Sequence, residues 1–135
     1  MAGISIPDAI AVADFRAALR GFMRHSERVA RKSGLTPQRY LLLLMVKGAP
    51  DGSEQSTVTE LADRLQLAQS TVTELVSRAE SAGLLAREQS SSDARVAHLR
   101  LSEEGERRLS LAFTALATER AHLREAVALL DEALL

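Results

Sequence analysis

The chain has 135 residues, 46% hydrophobic and 26% charged, enough to bury the core of one ordinary domain. It has no Cys, which excludes disulfides and thiol chemistry, and no run approaches the roughly 20 apolar residues of a membrane span. The net charge of −1 gives no bulk attraction to polyanions, so a nucleic-acid reading has to rest on pattern and placement. Asp8 and Asp14 interrupt the N-terminal apolar residues and no basic segment precedes them, so no signal peptide is expected. The expected compartment is the cytoplasm, with which the absence of Cys is compatible.

Residues 6–33 read as one long helix, with Ile10, Phe15, Leu19, Phe22, Met23 and Val29 at broadly helical spacing. Gly34 stops it, and Thr36-Pro37 caps and opens a second helix reaching about Lys47. The second helix is nearly all apolar from Leu41 to Val46, which predicts a place in the core. A polar loop over Gly48, Pro50, Asp51 and Gly52 follows. Thr57-Val58-Thr59-Glu60 has the form of a capping box and starts a short helix to about Arg64. After a turn at Leu65-Gln66-Leu67, another helix spans about Gln69 to Ala82, with Val72, Leu75, Val76 and Ala79 on one face and Gly83 at its end. Leu84 to Glu88 and the alternating stretch Arg95 to Leu101 predict two strands around a polar turn at residues 89–93. Ser102, followed by Glu103 and Glu104, caps a helical region over 103–134, with a break expected near Thr118.

The order from Thr57 to Leu101 is helix, tight turn, helix, two-stranded hairpin. The second helix turns an apolar face inward and a small polar face outward: Gln69, Ser70, Thr73, Glu74, Ser77 and Arg78. Short hydroxyl and amide side chains and a forked guanidinium can approach base edges and phosphates in a major groove. The hairpin tip, Ser90 to Arg95, carries hydroxyls at Ser91 and Ser92 and one guanidinium at Arg95, suited to a minor groove of negative potential.

Thr57-Val58-Thr59-Glu60-Leu61-Ala62, Gln69 to Arg78, Gly83-Leu84-Leu85, Asp93-Ala94-Arg95 and Leu99-Arg100-Leu101-Ser102 with Gly105 carry a resemblance. The stretch Leu35 to Gly105 resembles the MarR family of bacterial transcriptional regulators, and the Asp-x-Arg wing before Leu-x-Leu-Ser-x-x-Gly is its most specific part. The resemblance implies a mainly α fold with a small β-wing: a winged helix-turn-helix over 35–102, and terminal helices 6–33 and 103–134 that form a homodimer. It implies a DNA-binding regulator, a repressor in many members, released by a small anionic or phenolic effector. The implied DNA contacts are Thr57, Gln69, Ser70, Thr71, Thr73, Glu74, Ser77, Arg78, Ser91, Ser92, Asp93 and Arg95, with Asp93 holding Arg95 by a charge-assisted bond. Two positions depart from the family pattern. Ala68 stands where a Ser or Asp cap is common, which makes Ser70 an alternative to Gln69 as the start of the recognition helix, and Glu74 stands where a basic or neutral residue is common.

Other readings stand beside these. Arg95 could be a surface ion pair with Asp93 alone. Arg16, Arg20, Arg24 and Arg28 recur every four residues on one broad face, suited to anions or, as favoured here, to the acidic C-terminal helices of a second copy. Residues 1–34 hold six basic against three acidic side chains, residues 35–102 seven against eight, and residues 103–135 four against seven. Phe15, Phe22, His25 and Tyr40, with Arg16 or Arg20, are candidates for an effector pocket, against a plain core role for the aromatics. The three His residues are far apart in sequence, so no metal or other cofactor is expected, and no nucleophile elbow or phosphate-cradling loop supports catalysis. The terminal helices are expected to need a second chain to bury their apolar faces; if Leu109, Leu116, Leu123 and Leu130 lie exposed on one chain, a dimer follows as the way to cover them. The rival functions are a winged-helix module for protein partners and a small-ligand sensor with a vestigial DNA-binding head.

Overall fold

A computed structural model describes residues 3–89, 93 and 95–134. The elements run α1 (Ile6–Lys32), α2 (Pro37–Lys47), α3 (Val58–Leu65), α4 (Gln69–Ser81), β1 (Leu85–Gln89), β2 (Ala97–Leu101), α5 (Glu103–Ala115) and α6 (Ala117–Leu134). No helix of the described residues is long and apolar enough to cross a membrane.

The helix starts follow from side chains that accept backbone N–H groups with no partner of their own. Ser5 accepts from Asp8, Thr36 from Arg39 and Ser102 from Gly105. At α3 the capping box is complete: the Glu60 N–H donates to Thr57 Oγ1 at 3.2 Å, and the Thr57 N–H donates to Glu60 Oε1 at 3.1 Å. Thr57→Ala is expected to destabilise the fold by about 1 kcal/mol, read as a lower urea midpoint with an unchanged m-value.

Helix α4 starts at Gln69, as the spacing predicts, rather than at the alternative Ser70. Ala68 takes the extended N-cap conformation without any side-chain bond, and the Val72 N–H reaches the Ala68 carbonyl at 3.1 Å. The register is set by burial of Val72, Leu75, Val76 and Ala79, each side chain of Val or Leu size contributing about 1.5–3 kcal/mol against roughly 1 kcal/mol for a cap. The turn before it is tightened by Gln66, which takes the left-handed conformation at φ 56°.

The core is a single cluster in which α2 is central: Tyr40, Leu42, Leu43 and Val46 are buried against Leu61, Val72, Val76, Leu84 and Leu99. Leu41 is the exception within the apolar run, 44% exposed. Strands β1 and β2 pair antiparallel with Leu85 opposite Leu101 and Gln89 opposite Ala97. Both strands are shorter or later than the alternation predicts, because Leu84 is drawn into the core and β2 begins only at Ala97. A further bridge pairs Ser56 with Leu99 through N–H···O bonds of 3.1 and 2.8 Å, fastening the hairpin to the segment before α3. Its counterpart at the far end of the hairpin is the Ser102 hydroxyl, which donates to the Gly83 carbonyl at 2.5 Å.

The C-terminal helices break at Leu116, two residues before Thr118. Leu116 is fully buried, and its conformation (φ −97°, ψ 7°) ends α5. Arg120 fills the break: its guanidinium lies 3.8 Å from the centre of the Phe113 ring and donates to the Phe113 carbonyl at 2.7 Å. Helices α1 and α6 then pack side by side within one chain. Leu109 and Leu116 are buried in the core cluster, and Leu123 and Leu130 are half-buried on α6, which packs along α1, so none of the four meets the condition of lying exposed on one chain. The apolar side chains left exposed lie elsewhere: Ile4, Ile6 and Ile10 near the start of α1, Val127 and Leu129 on α6, and Leu111 and Phe113 on α5.

Candidate nucleic-acid interface

Helix α4 presents Gln69, Ser70, Thr71, Thr73, Glu74, Ser77 and Arg78 on its exposed side, opposite its buried apolar stripe. Three contacts order this face. Gln69 Nε2 donates to Thr59 Oγ1 at 3.1 Å, tying the start of α4 to α3. Arg78 Nη2 donates to Glu74 Oε1 at 2.5 Å, one helical turn apart. Glu80 accepts from Arg87 Nη2 at 2.8 Å and from Arg87 Nε at 3.3 Å, so α4 and the first wing strand are held as one unit. Thr57 is half-buried, with its hydroxyl committed to the capping box.

At the wing, Arg95 is 90% exposed while its guanidinium is paired with Asp93, Nε to Oδ1 at 3.2 Å and Nη2 to Oδ2 at 3.3 Å. The Arg95 N–H also donates to Asp93 Oδ1 at 3.0 Å. The Arg95 side chain and its backbone N–H both stabilise the charged form of Asp93, holding its carboxyl below the usual range. Asp93 thus fixes where the Arg95 stem leaves the backbone, while most of the guanidinium faces water. Ser91 and Ser92 lie outside the described residues.

The head is braced from behind by residues that the sequence pattern does not single out. Arg64 donates to the carbonyls of Met45 and Gly48 at 3.2 and 3.1 Å, joining α3 to the end of α2. Arg100 donates to the Ser53 carbonyl at 3.2 Å. Lys47 bridges Glu54 and Glu106, the latter at 2.6 Å, linking α2, the loop before α3 and α5. Such partners are 7 to 59 positions apart in sequence, and the tertiary fold brings them together.

The expected effector set is not brought together. Phe22 and Tyr40 share a groove between α1 and α2 with Met23, Ser26, Glu27, Pro37, Leu41 and Leu44. Phe15 stands seven residues before Phe22, about 10 Å along the helix axis, and does not line that groove. Arg16 lies with Arg20 and Arg24 along a different, open face of α1. His25 turns to α6, its Nε2 3.2 Å from Glu119 Oε1. Burial pushes the Tyr40 phenol up, opposed by the neighbouring Ser26 hydroxyl and the Arg120 charge. Among the described residues no three His, Asp or Glu side chains converge as a bound metal ion would require.

Comparison with known proteins bears on this arrangement in two ways. No curated protein sequence matches the chain at a significant level. Among solved structures, the fold is similar to AbsC, a MarR family transcriptional regulator from Streptomyces coelicolor, with TM-score 0.72 and 22% identity over 99% of this chain and 93% of that one. It is similar to a mutant MarR from E. coli complexed with operator DNA, with TM-score 0.70 and 18% identity over 88% of this chain and 86% of that one. It is also similar to the M. tuberculosis transcriptional regulator MOSR in complex with DNA, with TM-score 0.61 and 26% identity over 80% and 75% of the two chains. The model of the MarR family matches residues 33–96, from just after α1 to just before β2, and the chain has the winged helix-turn-helix fold of the MarR-family structures it is similar to.

Proposed function

We propose that this protein is a sequence-specific DNA-binding transcriptional regulator, a cytoplasmic homodimer that represses by occupying a pseudo-palindromic operator. The observation that carries the reading is the polar outward face of α4 together with the exposed Arg95 of the wing, on a head where the Glu80–Arg87 pair ties α4 to β1. Side chains of this kind on a braced helix suit base edges, and the wing guanidinium suits the adjacent minor groove. The likeness to two regulators solved with DNA supports the same reading. The dimer is assigned to the apolar end formed by Ile6 and Ile10 of α1 with Leu129 of α6, a patch that a monomer leaves in water. A small anionic or phenolic effector is assigned to the groove walled by Phe22 and Tyr40. Such a ligand acts only if it binds more tightly to one spacing of the two heads than to the other.

Selection of bound duplexes from a random library tests the reading. The expected outcome is an inverted repeat whose half-sites lie about 34–36 Å apart, with an affinity that falls steeply as salt rises. A protein that enriches no duplex and shows no salt dependence is a module for protein partners instead.

A further inference from the structure

Glu74 is the sole acid in the outward set Gln69 to Arg78, and it sits one turn after Ser70 near the middle of that face. The other acid at this end of α4, Glu80, is already engaged by Arg87. Glu74 and Arg78 are about equally exposed, at 63% and 64%, and an exposed pair of this spacing contributes little to helix stability. In a major groove a bare carboxylate would be repelled by the flanking phosphates. It needs a hydrogen-bond donor, because an ionised carboxylate can only accept.

The bases offer few donors there. Cytosine presents its N4 amino group, and adenine presents N6 beside the N7 acceptor, which repels a carboxylate's second oxygen. The guanine paired with that cytosine presents two acceptors, O6 and N7, which suit a guanidinium. The Glu74–Arg78 bond uses only Oε1 of one partner and Nη2 of the other. Among the described residues, Glu74 Oε2 and the remaining Arg78 N–H groups make no other side-chain bond, so the pair can stay joined while both members read a base.

We propose that Glu74 and Arg78 act together as the reader of one C·G base pair in each half-site, Glu74 accepting from cytosine and Arg78 donating to guanine. This specificity rests on the DNA-binding reading above. It accounts for an acid in a face otherwise suited to DNA, and it makes Arg78 a base contact rather than a phosphate contact.

The test is binding of the full-length wild type, Glu74→Ala, Glu74→Gln and Arg78→Ala to a library holding every base at every half-site position. Wild type should prefer C·G at one position by about 5- to 150-fold. Glu74→Ala and Arg78→Ala should flatten that position and leave the others. Glu74→Gln should move the preference toward adenine, whose N6 and N7 match an amide. Unchanged preference in Glu74→Ala overturns the proposal. So does a folded Glu74→Ala, checked by circular dichroism, that loses affinity equally for all sequences, since removing an acid from among phosphates should not weaken general binding. Wild type that binds no duplex overturns the DNA-binding reading itself, and this inference with it.

Discussion

Gly105→Ala is expected to lower the midpoint of thermal unfolding by about 10 °C, one of the largest effects of any single methyl group in this chain. In an open helix the same change is favourable by about 0.5–1 kcal/mol, because Ala loses less backbone freedom than Gly. Here a Cβ would stand 2.2 Å from the carbonyl oxygen of Leu84, a backbone atom. That oxygen cannot retreat freely, since it accepts the Ser102 N–H at 3.0 Å and belongs to a residue with no exposed surface. Relief therefore requires α5 to shift away from the start of the wing, breaking the Ser102 cap or opening the core around Leu84. Overpacking of this kind costs typically 1–3 kcal/mol, and a fixed backbone obstacle puts it near 3 kcal/mol, or about 10 °C for a chain of this size. Gly21→Ala is the control: nothing lies within 4 Å of its Cβ position in the middle of α1, so its midpoint should rise slightly. Equal midpoints for the two variants would show that α5 does not press on Leu84.

Much of the winged head is legible in the sequence because its signals are local. Leu101 and Ser102 are a last strand residue and a cap within two positions, whereas the need for Gly105 comes from Leu84, 21 positions away, and is visible only in the fold. The Thr57–Glu60 box, the Gly34 stop and the apolar stripe of α4 are likewise short-range statements. The outward face of α4 follows once the stripe is known, because a helix has only one opposite side.

What the pattern could not yield depends on which elements meet. The break at Leu116 rather than Thr118 is decided by a leucine that finds the core and by Arg120 closing over Phe113. Neither Ser56–Leu99 nor Glu80–Arg87 is visible until the hairpin is folded back on the head. The placement of the effector candidates is also set by tertiary neighbours: Phe22 meets Tyr40 of α2, whereas His25 meets Glu119 of α6. The half-burial of Leu123 and Leu130 follows from α1 being long enough to run alongside α6.

Arg95→Ala should weaken operator binding by roughly 5- to 150-fold, about 1–3 kcal/mol, without changing the mass of the dimer. Two effects act in the same direction. The variant removes a guanidinium that is 90% exposed and aimed outward from the wing, where a minor groove of negative potential attracts it. It also leaves the Asp93 carboxylate, half-hidden and held in its charged form by Arg95, without a counter-charge next to the phosphates. Arg95→Lys separates the two, since it keeps a cation but loses the fork that meets both carboxylate oxygens. It should recover the salt dependence that Arg95→Ala reduces by about one counter-ion, but only part of the affinity. Asp93→Ala should bind less tightly than wild type despite its gain of positive charge, because nothing then fixes the Arg95 stem. If Asp93→Ala binds more tightly, Asp93 acts only as a competing anion. If Arg95→Ala binds as well as wild type, the wing makes no contact that matters, and sequence recognition falls to α4 alone.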